Sequence, residues 1–268
     1  MIRKATSIAA FSLTIFFNTY NHTVFIIIHG TWGSEAAWYT PEGDFFTSLE
    51  ATAQMEKAAV IPFCWSGSNN YEARNKAAKN LSKLIESYDA HTKIILIGHS
   101  HGGNVALLAS QLLSTHKISI IYTLGTPITT SIYPNMNNIK YCYNLFSFED
   151  LIQTVLGLFK REHAMHERIR NIRVILNGTE PDHTQLHHAA IGTWLPYIHS
   201  HVMRFEQKHP DKRGEPGVIR INSTSPPTYT FDPKRKELLE KDHQLSILIL
   251  NSFRKSFEMG SKTPLTNR

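Results

Sequence analysis

The sequence predicts an α/β protein with a doubly wound, mostly parallel sheet. Three observations carry that expectation. Residues 24–29, 60–65, 93–97, 118–124, 139–146 and 172–176 form short, largely aliphatic runs, the pattern of strands buried on both faces. Several of these runs close on turn-forming residues: Gly30 after the first, Ser66-Gly67-Ser68 after the second and Gly125-Thr126-Pro127 after the fourth. Helical spacing fills much of the chain between them, so strands and helices alternate and the crossovers are expected to be right-handed.

The elements follow in order. Residues 24–29 read as a central strand, and 45–59 as a helix containing alanine and glutamate. Residues 71–88 form a charged amphipathic helix with Ala73, Ala77, Leu81, Leu84 and Ile85 on one face. The strand at 93–97 runs through Gly98-His99-Ser100-His101-Gly102 into a helix at 103–115. Residues 189–198 are helix-like. Lys208 to Gly217 is a polar loop rich in charge, glycine and proline. Residues 218–221 and 228–231 are spaced as a short hairpin around Ser225-Pro226-Pro227, and 233–257 read as a terminal helix. The organisation expected is an apolar N-terminal segment at 1–21, an α/β domain at 22–203, and a C-terminal appendage at 204–268 packed on that core.

Composition bounds the function. A chain of 268 residues with 41% hydrophobic content can bury a substantial core. Its formal net charge of +6 serves solubility and admits peripheral contact with an anionic membrane surface. The basic residues form no stripe interleaved with aromatics, which argues against nucleic acid. Cys64 and Cys142 both fall in expected strands, so each reads as a small buried residue rather than half of a disulfide. Arg3-Lys4 followed by an apolar stretch to Phe17 fits either a signal peptide or anchor, which implies export or membrane association, or a first ordered segment.

The pentapeptide Gly98-His99-Ser100-His101-Gly102 is the most specific feature. A G-x-S-x-G set between a strand and a helix puts the serine on a sharp, exposed turn at the helix's positive end. Acyl transfer from such a serine needs a base, a carboxylate to orient the base, and donors for an oxyanion. The carboxylate is sought past the strand at 139–146, where Asp150 leads and Glu149 is the alternative. The base is sought in the loop after Leu176. His183 leads because it precedes the helix, and His187 is the runner-up at the helix start. The oxyanion donors expected are the N–H groups of His101 and Thr31, with Trp32 as the alternative to Thr31.

On these residues the chain resembles the α/β-hydrolase superfamily, on its lipase/esterase side, over residues 22–203. The resemblance rests on His29-Gly30-Thr31-Trp32-Gly33, Gly98 to Gly103, Gly125-Thr126-Pro127, Glu149-Asp150 and the His183 region. It implies a hydrolase of carboxylic esters, a small-molecule or lipid ester as substrate, and no cofactor. Two departures stand out. His101 occupies a position where lipases often carry methionine or leucine, and the superfamily's first two strands are missing or replaced, implying a reduced sheet. The short span between Pro127 and Ile139 leaves room for a small cap or none, with residues 151–170 as a modest lid or a helix packed on the sheet. A thioesterase or acyltransferase on the same fold, or a binding protein without catalysis, are the competing readings. Histidine pairs such as His163/His166 and the set His183, His187 and His188 lack the cysteine or carboxylate partners of a strong zinc motif.

Overall fold

A computed structural model describes residues 23–129, 131–156 and 160–260. The expected N-terminal signal peptide, anchor or ordered segment lies outside them. So does the middle of the expected lid, including Leu158 and Phe159.

The core is one eight-stranded sheet in the order β2-β1-β3-β4-β5-β6-β7-β8. These strands are β1 Thr23–Ile28, β2 Ala59–Phe63, β3 Lys93–His99, β4 Ile118–Leu124, β5 Ile139–Phe146, β6 Ile169–Leu176, β7 Gly217–Ile221 and β8 Thr228–Phe231. All neighbouring pairs are parallel except β7 with β8. β1 shows why its sequence runs without polar interruption. Successive side chains point to opposite faces, and both faces are covered by helices. Phe25 and Ile27 pack with helices α1 (Asp44–Met55) and α5 (Ala189–Lys208). Val24, Ile26 and Ile28 pack with α2 (Tyr71–Glu86) and α3 (His101–Leu112). Ile26, Ile27 and Ile28 are each 0% exposed, and full burial of such a side chain contributes about 1.5–3 kcal/mol.

Local signals start and stop these elements. The Asn70 side chain accepts the Ala73 N–H at 2.8 Å and caps α2, whose buried stripe is Ala77, Ala78, Leu81 and Ile85. His188 caps α5 in the same way, accepting the Ala190 N–H at 3.1 Å. Among the described residues no helix is long and apolar enough to cross a membrane.

Several boundaries differ from expectation, α5 running on to Lys208 among them, and three bear on the core. β2 stops at Phe63, which leaves Cys64 exposed beyond the strand, while Cys142 is buried in β5. β6 begins at Ile169 rather than Ile172, because Arg170 and Arg173 are buried in ion pairs with Glu206 and Asp232. The hairpin at residues 217–231 is no separate appendage. β7 pairs parallel to β6, and Ile219 and Ile221 enter the core, so the C-terminal segment extends the same sheet. It ends in α6 (Arg235–Gly260).

The topology also says where a ligand belongs. From β1 the chain moves to β2 on one side and returns to β3 on the other, so its winding reverses at β1/β3. Ligands of open α/β sheets bind at the carboxyl ends of strands flanking such a reversal. The loops after β1 and β3 there are Gly30–Gly33 and Ser100 with its neighbours.

Candidate active site

Ser100 sits between β3 and α3 with φ 52° and ψ −132°, a conformation that costs a non-glycine residue about 1–3 kcal/mol. The Ser100 N–H donates to Leu124 O at 2.9 Å, and the Ser100 carbonyl accepts the Gly103 N–H at 3.0 Å. Around this turn, helix and strand come into backbone contact. A Cβ on Gly98 would lie 2.5 Å from Gly103 Cα, which only glycine avoids. Ser100 keeps 6% exposure, and among the described residues its hydroxyl has no side-chain hydrogen-bond partner.

Asp150 and His183 meet each other, and the His183 main chain bonds to His99, the residue before Ser100. Asp150 follows β5 and is fully buried just before helix α4 (Leu151–Leu156). Its Oδ1 accepts the Gln153 N–H at 2.8 Å, and its Oδ2 lies 2.8 Å from His183 Nδ1. His183 stands in the loop after β6, where Asp182 Oδ1 accepts the N–H groups of Thr184 at 2.8 Å and Gln185 at 2.9 Å. The His183 carbonyl accepts from His99 Nε2 at 2.9 Å, so His99 carries its proton on Nε2. Burial, and then the neighbouring His183 and His187, hold His99 well below the ordinary histidine range.

Gly125 lets the pair close. It ends β4 at φ +57°, and a Cβ there would lie 2.6 Å from Asp150 Oδ2 and 3.2 Å from His183 Nδ1. Gly125→Ala is expected to destabilise the fold by about 1–3 kcal/mol, read as a lower midpoint in urea denaturation.

The alternative residues are placed elsewhere. Glu149 is exposed, and among the described residues the carboxylate bonded to His183 is that of Asp150. His187 stacks on Trp38 with ring centroids 4.5 Å apart and planes 15° from parallel. Burial pushes His187 down to about 4. Trp32 has its N–H bound to Gly67 O at 2.9 Å, which removes it as a free donor, and its side chain is 82% exposed. Thr31 and His101 donate their N–H groups to no backbone carbonyl among the described residues. The Thr31 hydroxyl is likewise buried without a partner.

The loop carrying Thr31 is pinned by a contact that sequence patterning does not reveal. His29 Nε2 accepts the Trp65 N–H at 3.2 Å, and Trp65 Nε1 donates to His29 O at 2.8 Å. Gly30 lies so close to the serine that a Cβ on it would sit 2.7 Å from Ser100 Cβ. His101 faces the same region, with its Nδ1 accepting from Asn104 Nδ2 at 2.9 Å. Burial, then Arg74 and His183, push it down to about 4, so it is neutral at physiological pH. Among the described residues no cluster of three His, Cys, Asp or Glu side chains is arranged to hold a metal ion.

Comparison with known proteins adds to this geometry. A family model described as a PGAP1-like alpha/beta domain matches residues 68–189, a span that includes Ser100, Asp150 and His183 but not Thr31. No curated protein gives a significant sequence match. Among solved structures, a methylesterase from Arabidopsis is 13% identical, with 66% of this chain and 99% of that one covered at a TM-score of 0.45. A lipase-esterase related protein from Clostridium acetobutylicum is 18% identical, with coverage of 42% and 45% and a TM-score of 0.30. The RedJ thioesterase from Streptomyces coelicolor is 15% identical, with coverage of 41% of each chain and a TM-score of 0.32. The chain thus spans less than half the length of the latter two proteins. The family likeness thus covers residues 68–189, the part of the eight-stranded, mostly parallel sheet that carries the strand–serine–helix turn.

Proposed function

We propose that this protein is a serine hydrolase that cleaves carboxylic esters through an acyl-enzyme on Ser100. The observation that carries the reading is the 2.8 Å contact of His183 Nδ1 with buried Asp150, in a chain whose Ser100 is held at φ 52° on a strand–helix turn and whose His183 carbonyl accepts from the adjoining His99. Asp150 accepts from Nδ1–H, which leaves Nε2 as the basic nitrogen. Ser100 Oγ attacks the ester carbonyl carbon while its proton passes to Nε2. The carbonyl oxygen becomes an oxyanion, taken up by the N–H groups of Thr31 and His101. Collapse breaks the bond to the alcohol oxygen, which leaves with the proton from Nε2. A water then gives its proton to Nε2 and attacks the acyl carbon, and the carboxylic acid departs as Ser100 recovers its proton.

A fluorophosphonate probe tests this directly. The reading expects covalent labelling at Ser100, and hydrolysis of short p-nitrophenyl esters that disappears in Ser100→Ala. Folded protein that neither labels nor turns over these esters would favour a binding role on a hydrolase scaffold. A series of acyl esters beside the matching thioesters reports the leaving group and chain length accepted.

A further inference from the structure

The loops carrying Asp150 and His183 are held by a buried ionic frame whose outer members come from the C-terminal part of the chain. Arg161 is 2% exposed. Its Nη1 donates to the carbonyl oxygens of Ser147 at 2.6 Å and Asp150 at 2.8 Å, and its Nη2 donates to Phe148 O at 3.1 Å. The remaining donors take both oxygens of Asp242 on α6, Nε to Oδ2 and Nη2 to Oδ1, each at 2.9 Å. All five N–H groups of the guanidinium are thereby used, three on the loop that ends at Asp150 and two on one carboxylate. A second frame holds the same loop from the other side. Glu180, in the loop that leads to His183, accepts the Phe148 N–H at 2.7 Å and pairs with Arg173 at 3.0 Å. Arg173 in turn grips Asp232 with two bonds of 2.7 Å.

We infer that Asp242 is a positioning residue that acts through Arg161 to keep Asp150 oriented on His183. Asp242 neutralises the guanidinium and fixes its plane, and the guanidinium then presents three hydrogen bonds to the backbone that aims Asp150. Without Asp242 the buried cation has lost its counter-charge. It then turns toward the Asp150 carboxylate, whose own main-chain oxygen it already touches, and competes with His183 for it. Helix α6 is therefore part of the working site, although it contributes no atom that touches a substrate. The inference rests on the triad reading above.

The test is a double-mutant cycle on the full chain with a p-nitrophenyl ester. Asp242→Asn is expected to lower kcat by about 10- to 100-fold with KM within about 2-fold of wild type, the effect of a misplaced rather than a missing group. In an Asp150→Asn background the same change is expected to cost less than about 2-fold, because the link has nothing left to orient. A folded Asp242→Asn protein with wild-type kcat overturns the inference. So does a full, additive loss in the Asp150→Asn background, which would make α6 a stability element only. If Asp242→Asn does not fold, the pair Arg161→Met with Asp242→Leu removes both charges and enters the same cycle. It is expected to lose kcat only when Asp150 is present. If Asp150→Asn alone leaves kcat intact, the triad reading has failed, and that outcome is distinct from additivity.

Discussion

Hydrolysis of a p-nitrophenyl ester is expected to fall by about 10⁴-fold or more in His183→Ala, and to stay within a few-fold of wild type in His187→Ala. The contrast follows from what each ring touches. His183 has a buried carboxylate at 2.8 Å on Nδ1, which fixes its tautomer and stabilises the imidazolium that forms during attack. His187 lies face to face with Trp38 and is pushed down to about 4 by burial, and no carboxylate bonds to it among the described residues. An imidazole with so little tendency to take a proton is a poor base for an alcohol. Its removal costs packing against Trp38 and leaves the reacting atoms in place. The measurement is kcat/KM for both variants, alongside their rate of fluorophosphonate labelling. Equal losses would mean that the loop works only as a unit, and a larger loss in His187→Ala would reassign the base. The same logic separates the acids. Asp150→Asn is expected to approach the His183→Ala loss, whereas exposed Glu149→Gln is expected to leave turnover within about 2-fold of wild type.

How much of this was legible in the sequence depends on whether the cause is local. The parallel strands β1, β3 and β4 are readable because burial on both faces demands unbroken apolar runs. The turn at Ser100 is readable because backbone contact there needs glycine at Gly98. β6 is only half readable. Arg170 and Arg173 look like solvent-facing residues until Glu206 and Asp232 arrive from distant parts of the chain to pair with them. The place of β7 in the main sheet is hidden for a related reason, since a short alternating segment reads as a hairpin whether or not a third strand joins it. At the site, the offset past β5 favours Asp150 over its neighbour Glu149, and in the fold Asp150 is buried against His183 while Glu149 is exposed. Arg161, Glu180 and Asp242 carried no motif signal. Their nearest cue was an arginine soon after a candidate acid, which is too common to weigh.

Acidification is expected to unfold the protein well before its carboxylates are neutralised. The cause is a set of histidines that the fold keeps neutral. His101, His163 and His187 are each pushed down to about 4 chiefly by burial, and His99 is held well below its ordinary range. In the unfolded chain each would titrate near 6.5. Between these values the unfolded state binds more protons than the native state, so stability rises with pH and is lost as pH falls from about 6.5 toward 4. For His163, whose Nε2 is buried with no partner among the described residues, the loss reaches about 3 kcal/mol at the bottom of that window. A few such groups together rival the about 5–15 kcal/mol that holds a typical domain. His116 works the other way, since its pair with Glu86 raises it, but it is one group at the edge of the fold. The check is a series of urea denaturation curves from about pH 7.5 to about pH 4.5, run on wild type and on His163→Gln. Above pH 7 the variant is expected to match or fall slightly below wild type, because glutamine replaces a neutral ring. Below about pH 5.5 it is expected to be the more stable protein, because it has shed one proton-binding site that only the unfolded chain can fill. Curves that stay parallel across the series would show that His163 is solvated in the native state, and acid sensitivity would then have to come from the paired carboxylates at lower pH.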